Sequence, residues 1–96
     1  MRNRYFVAYD IMEPQRLART YKTMLGYGDR VQYSVFVCNL SPSELIFMQN
    51  DLENVINLKE DRIVIINTGS ADIPVSRNVI TMGTQINMNE ESCVVI

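Results

Sequence analysis

The run from Gly26 to Cys38, GYGDRVQYSVFVC, constrains this chain more than any other stretch. Gly28 offers positive φ and Asp29 can hydrogen-bond its own backbone, so Tyr27 to Asp29 reads as a turn. The residues that follow alternate: Val31, Tyr33, Val35 and Val37 on one side, Gln32, Ser34, Phe36 and Cys38 on the other. Alternation of β-branched and aromatic residues marks a strand with two unlike faces. The valine face is core-like. The other carries an amide, a hydroxyl, a ring and a thiol, with Arg30 at the strand entrance. The rest of the chain reads as built to hold this strand beside a second one that ends in Asp10.

That second strand is Arg4 to Asp10, RYFVAYD. Tyr5, Val7 and Tyr9 face one way; Phe6, Ala8 and Asp10 face the other. Both faces are apolar until the last residue, so both need cover. Glu13-Pro14 then opens a helix, because proline is at home in a first helical turn. Leu17, Tyr21 and Met24 or Leu25 form its buried stripe, while Arg16, Arg19 and Thr23 share an outward stripe. Gly26 ends it. Ser41-Pro42-Ser43-Glu44 is a capping box that starts a second helix. Its apolar face is Leu45, Met48, Leu52, Val55 and Ile56. Asp61 to Asn67, DRIVIIN, is a third strand, and Asn67 to Asp72 is turn-like. Ile80, Met82, Ile86 and Met88 permit further extended segments around Gly83, and Ser92 to Ile96 closes the chain as a short apolar run.

With 96 residues, 47% of them hydrophobic, the chain is one domain (1–96) around one modest core. The order read directly is β-α-β-α-β before the tail. Arg30 to Asn39 is either two strands joined at a bend or a strand with a short hairpin partner. Each gives βαββαβ, an α+β ferredoxin-like sandwich with an antiparallel sheet and both helices on one face. Two helices cover only one face. The other, presenting Phe6, Ala8, Asp10, Gln32, Ser34 and Phe36, is expected to meet a second copy in an isologous homodimer. The tail, about 68–96, is expected to add strands at the dimer edge, with Cys93 to Ile96 pairing on the partner's sheet.

Several chemistries are excluded by what the chain lacks. It has no histidine, so neither a Ser-His-Asp or Cys-His nucleophile system nor a histidine-liganded zinc can be assembled. Cys38 and Cys93 have no CxxC spacing and fit buried thiols in a reducing cytosol. No apolar run approaches the roughly 18 to 20 residues that span a bilayer, and Asp10 comes too early for a signal-peptide core. A cytoplasmic protein without a membrane partner is expected. The net charge of −2 argues against indiscriminate coating of nucleic acid. That charge is unevenly spread: residues 1–30 hold six cations against three acids, and residues 31–96 hold three against eight. A basic working surface follows.

Asp10, at a strand's C-terminal end, either caps the helix that starts at Pro14 or serves as a ligand. In a two-fold dimer, two such carboxylates about 5 Å apart repel by roughly 3 kcal/mol at an effective dielectric near 20. Either one is protonated or a cation lies between them, magnesium being the natural hard divalent ion. Arg16, Arg19 and Arg30 are either solvated surface or, taken together, a phosphate-binding rim. Ser34 either packs or bonds a metal water or phosphate oxygen. Phe36 either packs, walls off the site or stacks on a base.

The pattern YDI at 9–11, arginine at 16, YG-RVQYSVF across 27–36 and the capped second helix together resemble a known family. It is the small CRISPR-associated endonuclease of the spacer-acquisition module, the second Cas protein. The resemblance covers roughly residues 4–67 and implies a ferredoxin-like, homodimeric prokaryotic protein. It implies CRISPR adaptation, in which the dimer bridges integrase dimers and holds double-stranded DNA for insertion. It also implies magnesium-dependent phosphodiester hydrolysis on DNA or single-stranded RNA. Asp10 falls on the family's metal position, and Tyr9, Arg16, Arg19, Arg30 and Phe36 fall on other site positions. Water activated by the ion would attack phosphorus, with the arginines stabilising the pentavalent charge. Val37 stands where many relatives carry glutamate. The alternative class is a toxin-type ribonuclease of the same fold without a CRISPR partner.

Overall fold

A computed structural model describes residues 1–84. One four-stranded antiparallel sheet carries two helices. The strands are β1 (Asn3–Asp10), β2 (Asp29–Gln32), β3 (Val35–Leu40) and β4 (Arg62–Ser70); the helices are α1 (Pro14–Leu25) and α2 (Pro42–Glu53). Strand order is β2-β3-β1-β4, so each helix carries the chain across one intervening strand. This is the βαββαβ arrangement as far as β4. A short 3-10 turn follows at Val75–Arg77.

β1 is the centre of the sheet. Phe6 lies opposite Val37 on one side and Ile66 on the other; Ala8 lies between Val35 and Val64. Residues directly opposite share a face. Tyr5, Val7 and Tyr9 therefore join Phe36, Cys38 and Leu40 under the helices, where Met24, Met48 and Leu52 complete the core. Phe6, Ala8, Val35, Val37, Val64 and Ile66 form the second, helix-free face. β1 divides its faces as its sequence implies. Phe36 and Cys38 do not lie on the helix-free face, as alternation through a single strand had placed them.

The reason is a hairpin inside the alternating run. Gln32 pairs with Val35, leaving Tyr33-Ser34 as a two-residue loop, and the register slips between Arg30 and Gln32. No non-glycine residue here has positive φ. The Asn-Gly or Asp-Gly pairs that announce tight hairpins are absent as well. Alternation runs through the turn, and the bulge absorbs the extra residue. The Ser34 carbonyl accepts from the Tyr9 amide at 3.0 Å, which pins the turn to β1.

Gly28 is not at positive φ either. A Cβ there would stand 2.2 Å from the Val37 carbonyl oxygen and 2.6 Å from Cys38 Sγ. Close approach, rather than a left-handed turn, is what requires glycine. Gly69 does have positive φ (+99°), and it lies where the β1–β4 register shifts. The stretch read as a turn from Asn67 is thus a bulge, through which β4 continues to Ser70.

Both helix starts match the sequence. Glu13 caps α1 by accepting from the amides of Gln15 and Arg16, and Ser41 and Glu44 form the capping box of α2. In α1, Met24 is buried and Leu25 is exposed. Residues 80–84 form no strand, and Ile80 and Met82 are exposed. Ile86, Met88 and the Cys93–Ile96 run lie outside the described residues.

Beyond β4, the chain folds back over the helix-free face at its Arg4 end. Arg4 is fully buried and donates to the Ile73 carbonyl and, at 2.9 Å, to the Ala71 carbonyl. Val75 is buried as well. None of the helices among the described residues is long and apolar enough to cross a membrane.

Candidate nucleic-acid and metal site

One end of the sheet gathers the C-terminus of β1, the N-terminus of α1, the β2–β3 hairpin tip and the start of β4. Asp10 is the last residue of β1, exposed, and opposite Arg62 on β4. Its carboxylate neither caps α1, a task Glu13 performs, nor holds an ion pair among the described residues. It shares an open depression with Lys59, Glu60, Asp61 and Arg62. Among the described residues, no three His, Cys, Asp or Glu side chains gather as a metal-binding group.

Arg16 is not on an open rim. Its Nε donates to Asp61 Oδ2 at 2.8 Å, and its Nη2 donates to Asp61 Oδ1 at 3.2 Å and Glu60 Oε1 at 2.9 Å. Asp61 also accepts from the Met12 amide at 2.9 Å and the Asn57 amide at 2.8 Å. The Arg16 guanidinium, helped by those amides, holds the Asp61 carboxyl well below the usual carboxylate range. This clasp ties the segment after Asp10 to the loop that precedes Arg62. Arg16 thus braces Asp10's surroundings, with most of its donors engaged.

Arg19 and Arg30 are exposed. The Arg30 guanidinium lies 5.1 Å from the Tyr21 ring centroid, a cation–π contact at the mouth of a second cavity. That cavity, about 340 Å³, is lined by Tyr9, Pro14, Leu17, Ala18, Tyr21, Arg30 and Tyr33. Phe36 lies fully buried beneath it, stacked on Tyr9 at 6.2 Å and tilted against Tyr21 at 5.9 Å. It cannot touch a base; it sets the two tyrosine rings.

The sequence-derived site residues therefore divide between two faces. Asp10 faces the helix-free side. Tyr9, one residue earlier, faces the helices with Arg30, and Phe36 supports it. Ser34 is half-buried in the hairpin turn, attached through its carbonyl to Tyr9. Burial raises the Tyr9 hydroxyl's pKa, an effect that Arg30's charge partly opposes. Sequence reasoning missed Asp61, Arg62, Tyr21 as a cavity wall and Tyr33. An acid-rich Lys59-Glu60-Asp61 before a strand was the available signal for the clasp.

Comparison with known proteins identifies relatives over most of this architecture. The family model for CRISPR associated protein Cas2 matches residues 2–73. CRISPR-associated endoribonuclease Cas2 1 of Rhodospirillum rubrum is 43% identical over 68 residues, 71% of this chain and 67% of its own length. CRISPR-associated endoribonuclease Cas2 of Geobacter sulfurreducens is 38% identical over 72 residues, 75% of this chain and 76% of its own. Among solved structures, Streptococcus pyogenes Cas2 superposes with a TM-score of 0.74 at 32% identity, covering 83% of this chain and 99% of its own. A hypothetical protein from Thermus thermophilus shares the fold at 23% identity, with a TM-score of 0.70 over all of both chains.

Proposed function

Because the chain belongs to the Cas2 family of CRISPR-associated proteins, we propose that it acts in CRISPR adaptation as a homodimer with divalent-cation-dependent endonuclease activity. The dimer bridges integrase dimers and holds the foreign double-stranded DNA to be inserted. Phosphodiester cleavage is its second capacity, with RNA first among substrates, in keeping with the endoribonuclease names of its relatives.

The observation that carries this reading is the state of Asp10. It is exposed and unengaged among the described residues, at the rim of an apolar sheet face that no helix covers. A second copy packed on that face by a two-fold axis brings two Asp10 carboxylates together, and their mutual repulsion favours a cation between them. One carboxylate per chain suits magnesium, which keeps several of its waters. The two copies of Asp10 would hold it. When bound, such an ion neutralises phosphate charge and acidifies water. Arg19 and Arg30 bind phosphate, Tyr9 and the Ser34 turn shape the approach, and the Arg16–Asp61 clasp holds the Asp10 loop in place.

Asp10→Asn separates the two capacities. It keeps the side chain's size and removes the charge, so magnesium-dependent cleavage of RNA should be lost while the dimer and DNA-dependent spacer integration with its integrase persist. Integration falling as far as cleavage does would make the metal chemistry the purpose and overturn the bridging role.

A further inference from the structure

The tyrosine cavity on the helix side has no part in holding Asp10 or covering the sheet, yet it is built as a binding site. Tyr9 is only 6% exposed, and its hydroxyl has no hydrogen-bond partner among the described residues. The hydroxyls of Tyr21 and Tyr33 have none there either. The three rings line one space of about 340 Å³, whose remaining walls are Pro14, Leu17 and Ala18. The Tyr9 hydroxyl is not sealed in the core but reaches this space, where an occupant can bond it. Water can serve in the free protein, but the flat aromatic and aliphatic walls match a planar heterocycle with polar edges.

Charge narrows the choice of occupant. Among the described residues, Arg30 is the one charged residue in the lining, and no acid lines the cavity. Tyr33, at the hairpin tip, is 74% exposed and offers an unstacked ring beside that guanidinium. An aromatic platform next to a cation is how proteins hold unpaired bases and the adjoining phosphate. A base in a duplex is stacked on both sides and cannot enter.

We propose that this cavity binds one unpaired nucleotide, its base between Tyr33 and the wall formed by Tyr9 and α1, its phosphate on Arg30. The proposal rests on the nucleic-acid reading given above and deepens it. The sheet then presents two nucleic-acid surfaces: a dimer surface for duplex and a pocket in each copy for a single strand. Phe36 serves the pocket from beneath, as a positioning residue for Tyr9 and Tyr21.

The test is calorimetric titration of the full chain with a single-stranded hexauridylate, an abasic hexamer carrying the same phosphates, and a DNA duplex. Tyr33→Ala should weaken hexauridylate binding about tenfold, the effect of one lost stack. It should leave the abasic and duplex titrations unchanged. Tyr33→Phe should retain most of the affinity, and Tyr9→Phe should lose several-fold for the hexauridylate alone. Equal losses for the hexauridylate and the abasic hexamer would overturn the pocket, as would a Tyr33→Ala protein that binds both like wild type. Wild-type protein that binds none of the three probes would instead overturn the nucleic-acid reading itself, and the pocket with it. Ring resonances of Tyr9 and Tyr33 that stay unshifted at saturation with hexauridylate would also refute the pocket.

Discussion

Arg16 and Arg19 lie three positions apart on α1, yet their guanidinium groups have different duties. Arg16 is spent on Asp61 and Glu60, whereas the Arg19 guanidinium is exposed with no hydrogen-bonded partner among the described residues. Arg19→Ala should therefore flatten the salt dependence of single-strand binding, by about 0.7 in the logarithmic slope for each phosphate contact removed. Arg16→Ala should leave that slope intact and lower the melting temperature. Asp61→Asn should do the same at neutral pH. Because folding depresses the Asp61 pKa, its stabilisation is fully present above the ordinary value of 3.8 and is lost as pH falls below it. The melting difference between Asp61→Asn and wild type should thus narrow progressively in acid, as calorimetry from pH 7 to pH 2 would record. Nothing in the order of residues 16 to 19 distinguishes the two arginines. The difference depends on an acid 45 positions away, which helical spacing alone does not reveal. Cys38 carries the opposite sign. Burial pushes its thiol up to about 12 from 9.0, so its contribution holds below pH 9 and fades as pH rises toward 12. Native protein should resist alkylation of Cys38 at pH 8 and become labelled only on unfolding.

At the scale of elements, local chemistry was legible wherever it determined structure unaided. Glu13-Pro14 and Ser41-Pro42-Ser43-Glu44 start helices because a side chain satisfies free amides within three residues, a relation visible in the sequence. Ser41→Ala should cost about 1 kcal/mol in urea denaturation. The β2–β3 hairpin was illegible for the complementary reason. Tyr33-Ser34 has no glycine, asparagine or aspartate, the residues that mark a two-residue hairpin loop, and the bulge beside it keeps alternation unbroken across the bend. Unbroken alternation assigns Phe36 to the wrong face and conceals Tyr33 as the exposed ring. The sequence marks Gly28 as a turn residue, but the requirement for glycine there is tertiary. Gly28→Ala would force its methyl into the Val37 carbonyl and Cys38 Sγ, at a cost of about 2 kcal/mol by the same denaturation measurement.

For the whole molecule, the proposed dimer makes the helix-free face the surface of assembly. Val64 and Ile66 are exposed in the single chain, beside Phe6 and Ala8. If the proposed pair forms on this face, Val64→Asp should convert a sedimenting dimer into a monomer of unchanged circular dichroism, because the side chain is solvated in the lone chain. The face is not equally open along its length. At the Arg4 end it is occupied by the returning segment that Arg4 holds through the Ala71 and Ile73 carbonyls. Asp10 lies six residues further along the strand, roughly 20 Å away. Against a partner docked as proposed, that segment would be a mechanical stop. In the proposed pair, a second copy sliding along the sheet would meet it at one end only, which would push the axis toward the Asp10 end. On that proposal the spacing between the two carboxylates would be gauged by a loop at the opposite edge of the molecule, and one residue inserted between Ala71 and Ile73 should reset it without touching either.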